Sequence, residues 1–311
     1  MSAPLTWVVG AGGLLGSSVL AAASARGPVW WPREPVPWGT PGCADALAAQ
    51  AAAFARAAAG APWRVAWCAG TAVPGSPEEQ LHEEEAVAAR LLEALARVPG
   101  AGAVFLASSG GGVYAGSSGP PFTERTEPRP LAPYGRSKLR LEALAERWAA
   151  RTGHPVTLGR LSNLYGAGQD LDKPQGLVSV LCRATLLRRP VPLYVSLDTV
   201  RDYLWADDAG RTVVAALDAD AGAAGRAVVR VMSSDRPTTV GLLLRVLERV
   251  AGRRPQVVHA TSPAARWQTR DLRLRSVLAG GLDLAPPTPL PVGVLRVYQH
   301  LLRLQQQSRL A

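Results

Sequence analysis

Apolar residues in the first half of the chain fall into short β-favouring runs that alternate with longer stretches of helical periodicity. Leu5 to Val9 is such a run, and Leu14 to Ala25 is Ala- and Leu-rich with no breaker, so the glycines between them mark a strand-to-helix turn. Val29 to Trp31 predicts a second strand. A proline-rich loop through Pro41, an Ala-rich helix from about Asp45 to Ala59 and a strand from Arg64 to Cys68 follow. The next helix is announced at Ser76–Glu79, where SPEE reads as a capping box with Pro77 at the first helical position, acidic residues in the first turns and Arg90 and Arg97 toward the end. Ala103 to Ala107 reads as a strand. After a Gly/Ser/Pro loop, Tyr134 to Arg151 reads as a helix stopped by Gly153, with Pro155 behind it, and Val156 to Arg160 as another strand. The alternation predicts parallel strands with crossover helices on both faces, and such sheets bind ligands beyond the carboxyl ends of their strands.

Composition narrows the picture. With 311 residues, 48% of them hydrophobic, the chain can bury a large core in one large domain or two interlocked ones. No charged leader precedes an apolar segment, and the longest apolar stretches reach about half a bilayer span. The expectation is a cytoplasmic protein with no membrane partner. Cys43, Cys68 and Cys182 form no CxxC pair, and His82, His154, His259 and His300 are solitary. Neither a disulfide framework nor a metal site is expected. The net charge is +10, and its placement is uneven: the first 155 residues carry 13 Lys+Arg against 12 Asp+Glu, the remainder 21 against 12. The arginines of the second half are scattered among helical apolar positions without an aromatic-interleaved platform, which argues against nucleic acid and for a solvated surface. A small anion such as a diphosphate needs only one or two of them.

Two motifs carry chemistry. Gly10, Gly13 and Gly16 form GxxGxxG directly after a strand and at the mouth of a helix, where first-turn N–H groups are free to face a pyrophosphate. Taken alone, the glycines could equally serve tight strand–helix packing. In PYGRSK, Tyr134 and Lys138 are four apart and share a helix face. An ammonium near a phenol favours the phenolate, so a tyrosine so placed can exchange a proton with an alcohol or carbonyl.

The two motifs occur in one order with SSGGGVY after a mid-sheet strand, RLSNLYG after the next strand and RDYLWADD further on. This constellation, over about Leu5 to Gly210, resembles the extended short-chain dehydrogenase/reductase family, in particular its nucleotide-sugar epimerase/dehydratase branch. The resemblance implies an α/β fold: a Rossmann-like doubly wound parallel sheet, residues 1–167 and 200–224, with a smaller discontinuous C-terminal substrate domain, residues 168–199 and 225–311. It implies NAD or NADP held at Gly10, Gly13, Leu14, Leu15, Gly16, Arg33, Ala69, Lys138 and Leu161. It implies Tyr134 as the acid/base, with Lys138 assisting its proton transfer and holding the nicotinamide ribose. Asn163 and Arg201 match positions that contact the substrate's diphosphate or sugar. A nucleoside-diphosphate sugar and a second copy of the chain are the implied partners, and Leu139, Leu141, Leu144 and Trp148 can serve either a dimer interface or the core.

The departures are informative. The family's hydroxyl three residues before the valine of VY is Gly110 here, and the common substitute is Gly112. Ser109, the nearest hydroxyl, is assigned its role, with the three-glycine run supplying the flexibility to reach inward. Arg33 precedes Glu34 after the second strand and pairs naturally with a 2′-phosphate, which favours NADP over NAD. Four prolines between Pro32 and Gly42 argue against a full strand where the family fits one. Gly111 and Gly112 replace the acidic pair of the 4,6-dehydratases, and no loop cysteine serves a C3/C5 epimerase. What remains is redox at a secondary alcohol or ketone, as a 4-epimerase or a ketoreductase. The alternative is a catalytically silent NADP-binding sensor of the same fold.

Overall fold

The computed structural model describes residues 3–173, 175–261, 269–278, 281–282, 284–307 and 309–310. Its main sheet has six strands, all parallel, in the order β2-β1-β3-β4-β5-β9. They are β1 (Leu5–Val9), β2 (Val29–Trp30), β3 (Trp63–Trp67), β4 (Gly102–Ser109), β5 (Val156–Leu161) and β9 (Ala227–Met232). Between them run α1 (Leu14–Ser24), α2 (Cys43–Ala58), α3 (Glu78–Leu95), the single turn α4 (Gly110–Val113), α5 (Pro133–Thr152) and α7 (Ala206–Asp220).

Side-chain alternation along the strands divides the core into two layers. Trp7, Val9, Val65, Val104 and Leu106 face one layer with Leu47 and Phe54 of α2, Leu91 and Leu95 of α3 and Trp148 of α5. Val8, Ala66 and Phe105 face the other, with Val19 of α1 and Val213 and Leu217 of α7. Strands covered on both sides have no polar face, which is why they read as continuous apolar runs. Leu141 and Trp148 are buried in the first layer, and Leu139 and Leu144, partly buried, pack on core clusters.

The remaining strands lie outside this sheet. β6 (Asn163–Tyr165) pairs with β8 (Val200–Trp205), which also pairs with β10 (Pro237–Thr239) and β12 (Asp271–Leu272), while β7 (Val191–Leu193) pairs with β11 (Val257–His259). Over them α6 (Leu177–Leu187), α8 (Val240–Ala251) and α9 (Leu290–Gln306) enclose a separate core around Tyr165, Leu181, Leu243 and Val297. The expected division placed everything from Gly225 onward in that second unit, yet β9 is hydrogen-bonded along β5 and completes the large sheet.

One local feature departs from the expectation and one agrees with it. Ser76 does not cap α3: its hydroxyl accepts the N–H of Val73, and the helix starts at Glu78 behind Pro77. No strand forms between Trp31 and Gly42, in keeping with the prolines there.

Candidate active site

The three glycines of the first turn differ in what demands them. Gly10 has φ +84°, and a Cβ there would stand 2.7 Å from the amide nitrogen of Ala69 at the end of the neighbouring strand. A Cβ on Gly16 would strike the Gly10 carbonyl. Packing therefore requires both. At Gly13 the nearest atom to a Cβ would be the Gly10 carbonyl oxygen at an ordinary 3.5 Å, and at Gly12 nothing lies within 4 Å. The protein itself leaves this side of the turn open. Gly13 is the N-cap of α1 and offers no side-chain acceptor, so the N–H groups of Leu14, Leu15 and Gly16 lack partners within the helix. Unspent amides at a helix N-terminus, beside open space at Gly12 and beyond the carboxyl end of β1, fit a pyrophosphate.

The second cluster forms where α4 meets α5. Lys138 Nζ lies 5.3 Å from the centroid of the Tyr134 ring, as the i, i+4 spacing requires. A Cβ on Gly112 would stand 3.0 Å from Tyr134 Cε1 and 3.3 Å from Ser109 Oγ, so the two side chains converge on that glycine. Ser109 is the N-cap of α4, and its hydroxyl accepts the Gly112 N–H at 3.1 Å. The bond uses one lone pair and leaves the hydroxyl proton free to donate. The glycine run is thus an ordered helical turn rather than the flexible segment expected. Gly110 is buried, and a Cβ there would lie 2.6 Å from Leu274 Cδ1, 3.3 Å from the Leu161 carbonyl and 3.4 Å from that of Arg160. A Leu274 methyl stands beside position 110, where the family holds a hydroxyl.

Beneath the site lies a polar network that the motifs did not disclose. Glu142, one turn beyond Lys138 on α5, is 3% exposed and accepts from Ser108 Oγ at 2.5 Å and from Arg160 at 2.6 Å. Arg160 also donates to the Tyr114 hydroxyl at 2.7 Å, and that hydroxyl donates to the Thr123 carbonyl. Ser108 is therefore spent on structure and Ser109 is left to the site. The network binds β4, β5 and α5 together directly behind the Tyr134–Lys138 face. Glu84 of α3 is the other residue missed. Its carboxylate accepts from the Ala72 amide at 2.7 Å and stands 4.0 Å from Lys138 Nζ. The i+4 spacing of Glu142 was readable; nothing in the sequence linked Glu84 to Lys138.

The remaining positions lie along the same edge. Leu161 ends β5 opposite Ser109, and two residues on the Asn163 amide donates to the Asp202 carbonyl at 3.0 Å. Arg201, beside it in β8, donates to the Val200 carbonyl at 2.8 Å and forms no ion pair among the described residues. Burial pulls its guanidinium below the ordinary arginine value, partly offset by Tyr203 and Asp271. A half-buried cation without an ion pair among the described residues suits an anionic ligand. Arg33 is exposed on the proline-rich loop, also without an ion pair among the described residues. Among those residues no group of three or more His, Cys, Asp or Glu is placed to hold a metal, and no helix is long and apolar enough to cross a membrane.

A parallel sheet wound on both faces, opening on a glycine turn with unspent amides, defines a Rossmann-type dinucleotide-binding protein. The model of the NAD dependent epimerase/dehydratase family matches residues 6–229, and the chain belongs to that family. Among curated relatives it is similar to a dTDP-L-rhamnose 4-epimerase of Burkholderia thailandensis, 36% identical over 99 residues, 32% of this chain and 27% of the relative. It is likewise similar to a dTDP-4-dehydro-6-deoxyglucose reductase of Escherichia coli, 33% identical over 117 residues, 37% of this chain and 36% of the relative. The matched stretches thus span about a quarter to a third of these relatives. In fold it resembles a UDP-glucose 4-epimerase of Thermotoga maritima solved with UDP-glucose, with a TM-score of 0.79 at 20% identity over 97% of this chain and 99% of that one. A Thermus thermophilus UDP-glucose 4-epimerase solved with NAD gives a TM-score of 0.75 at 23% identity over 95% and 98%.

Proposed function

We propose that this chain is an NAD(P)-dependent enzyme acting on a secondary alcohol or ketone of a nucleoside-diphosphate sugar, as a 4-epimerase or a ketoreductase. The convergence of Tyr134, Lys138 and Ser109 beside an open pyrophosphate cradle carries this reading. Tyr134 moves the proton at the reacting sugar oxygen. Ser109, fixed by its cap bond, donates its free proton to that oxygen as charge develops. Lys138 places a positive charge beside the phenol and holds the nicotinamide ribose. Leu14, Leu15 and Gly16 hold the pyrophosphate through their amides, Ala69 and Leu161 line the cofactor, and Arg33 takes a 2′-phosphate, which favours NADP. When bound, the dinucleotide supplies the hydride acceptor and donor. Asn163 and Arg201 take the diphosphate sugar, with the Arg201 guanidinium as the anchor. A cytoplasmic homodimer without a nucleic-acid partner completes the reading; light scattering in solution tests its dimeric state.

One observation favours a second reading, a silent NADP-binding sensor: residue 110 has no hydroxyl, and Leu274 closes its place. A thermal-shift screen of NAD and NADP crossed with UDP, GDP and dTDP, followed by hydride exchange with the sugars of the best nucleotide, separates the two. A ligand bound only by the native state raises stability by about 2.7 kcal/mol at a hundredfold excess over its Kd. Turnover establishes the enzyme, and tight dinucleotide binding without exchange establishes the sensor.

A further inference from the structure

We propose that the indole of Trp38 is the wall on which the adenine of bound NADP stacks, in place of an outer strand that this sheet does not have. The proposal rests on the cofactor reading above. In the usual doubly wound order two strands stand outside the first, and the dinucleotide lies across the carboxyl ends. Here, among the described residues, only β2 stands outside β1, and it is two residues long. From Trp30 the chain passes through residues 31–42 without helix or strand and enters α2, on the face opposite α1.

That connection exposes two indoles, Trp31 at 59% and Trp38 at 44%. Trp38 is the one held in place. Its ring stands edge-on to Trp67 with centroids 6.4 Å apart, and its backbone N–H donates to the Val36 carbonyl at 2.9 Å. Trp67 closes β3 and is the register partner of Val9, the residue before Gly10. An anchored, half-exposed aromatic face thus stands at the strand ends that carry the phosphate turn. Its own loop supplies Arg33, exposed and without an ion pair among the described residues. A flat π surface with a guanidinium on the same loop is complementary to a planar base and a phosphate on its ribose. Covering the indole also removes a large apolar area from water.

The test is calorimetric titration of the full chain with 2′,5′-ADP and, separately, with nicotinamide mononucleotide. Trp38→Ala is expected to weaken 2′,5′-ADP by roughly ten- to a hundredfold, the fold-change one base–aromatic stack supplies, and to leave nicotinamide mononucleotide unchanged. Trp38→Phe should retain most of the affinity. Fluorescence quenching by 2′,5′-ADP should diminish in the phenylalanine variant. Undiminished 2′,5′-ADP affinity in Trp38→Ala overturns the stacking wall and leaves the cofactor reading standing, as does equal loss for both halves of the dinucleotide. Failure of the unmodified chain to bind 2′,5′-ADP, NADP or NAD overturns both.

Discussion

Gly110 and Leu274 share one volume: a methyl group on the glycine would stand 2.6 Å from Leu274 Cδ1, and Leu274 is itself 3% exposed. The two are far apart in sequence but are joined where the Leu274 segment bridges Phe122, with Phe122 N–H donating to the Arg273 carbonyl and Arg275 N–H to that of Phe122. Restoring the family's hydroxyl here is therefore a packing problem before it is a chemical one.

Gly110→Ser is expected to destabilise the fold by about 1–3 kcal/mol, the usual cost of overpacking. In Gly110→Ser/Leu274→Ala the serine enters the space the leucine leaves, so the combined loss should fall below the summed single losses by roughly 0.5–3 kcal/mol. Urea unfolding of the four proteins measures this. Strict additivity would show that the two side chains do not compete.

Ser109→Ala should lower turnover roughly 10²-fold or more, the scale of one lost oxyanion donor, with cofactor affinity preserved. It should also cost about 1 kcal/mol of stability through the lost cap on α4. A fully active alanine variant would assign the donor to a backbone amide or to the substrate.

Tyr134→Phe should reduce turnover by roughly 10²- to 10⁴-fold while sparing dinucleotide binding, because the ring remains and the exchangeable proton does not. Lys138→Met should impair both, since the ammonium serves the phenol and the ribose. A phenylalanine variant that keeps more than about a tenth of the rate would move the proton transfer to another group.

Arg33→Ala should weaken NADP by roughly 1.5–3 kcal/mol, the value of a hydrogen bond to a charged group, and leave NAD nearly unchanged. Equal losses for the two cofactors, measured by titration, would remove Arg33 from the 2′-phosphate.

Glu142→Ala should cost about 3–5 kcal/mol, because it strands the buried Arg160 guanidinium without its carboxylate. The exposed pair Arg151–Glu93 is the control: its removal should change stability by no more than about 1 kcal/mol. Comparable losses at the two sites would show that water reaches Arg160.

The glycine turn and the Tyr134–Lys138 pair were legible because each is local. Gly10, Gly13 and Gly16 lie within one turn of chain, and Tyr134 and Lys138 within one turn of helix. The prolines after Pro32 reported the missing strand by the same kind of local chemistry. The packing at position 110 was hidden because Leu274 reaches it from a distant part of the chain, and no periodicity announces such a contact. Glu84 escaped for a similar reason: on α3 it belongs to an ordinary acidic helical turn, and only the packing of α3 on α5 brings it toward Lys138. Ser108 and Ser109 are chemically identical in the sequence; the strand's alternation sends one to Glu142 and leaves the other at the end of the sheet.

The position of β9 bears on how this chain can be made. Its partner β5 ends at Leu161, while β9 begins at Ala227, and its Arg230 binds Asp220 of α7. During synthesis the sheet's far edge stays open until Met232 has emerged, and closing it requires a long intervening stretch to be gathered first, a slow kind of contact to form. Until then β5 presents an unpaired row of amides and carbonyls, a template for intermolecular pairing. Truncation between Leu161 and Ala227 would make that nascent condition permanent, so soluble fragments of the dinucleotide-binding half should begin at its first strand and run past Met232.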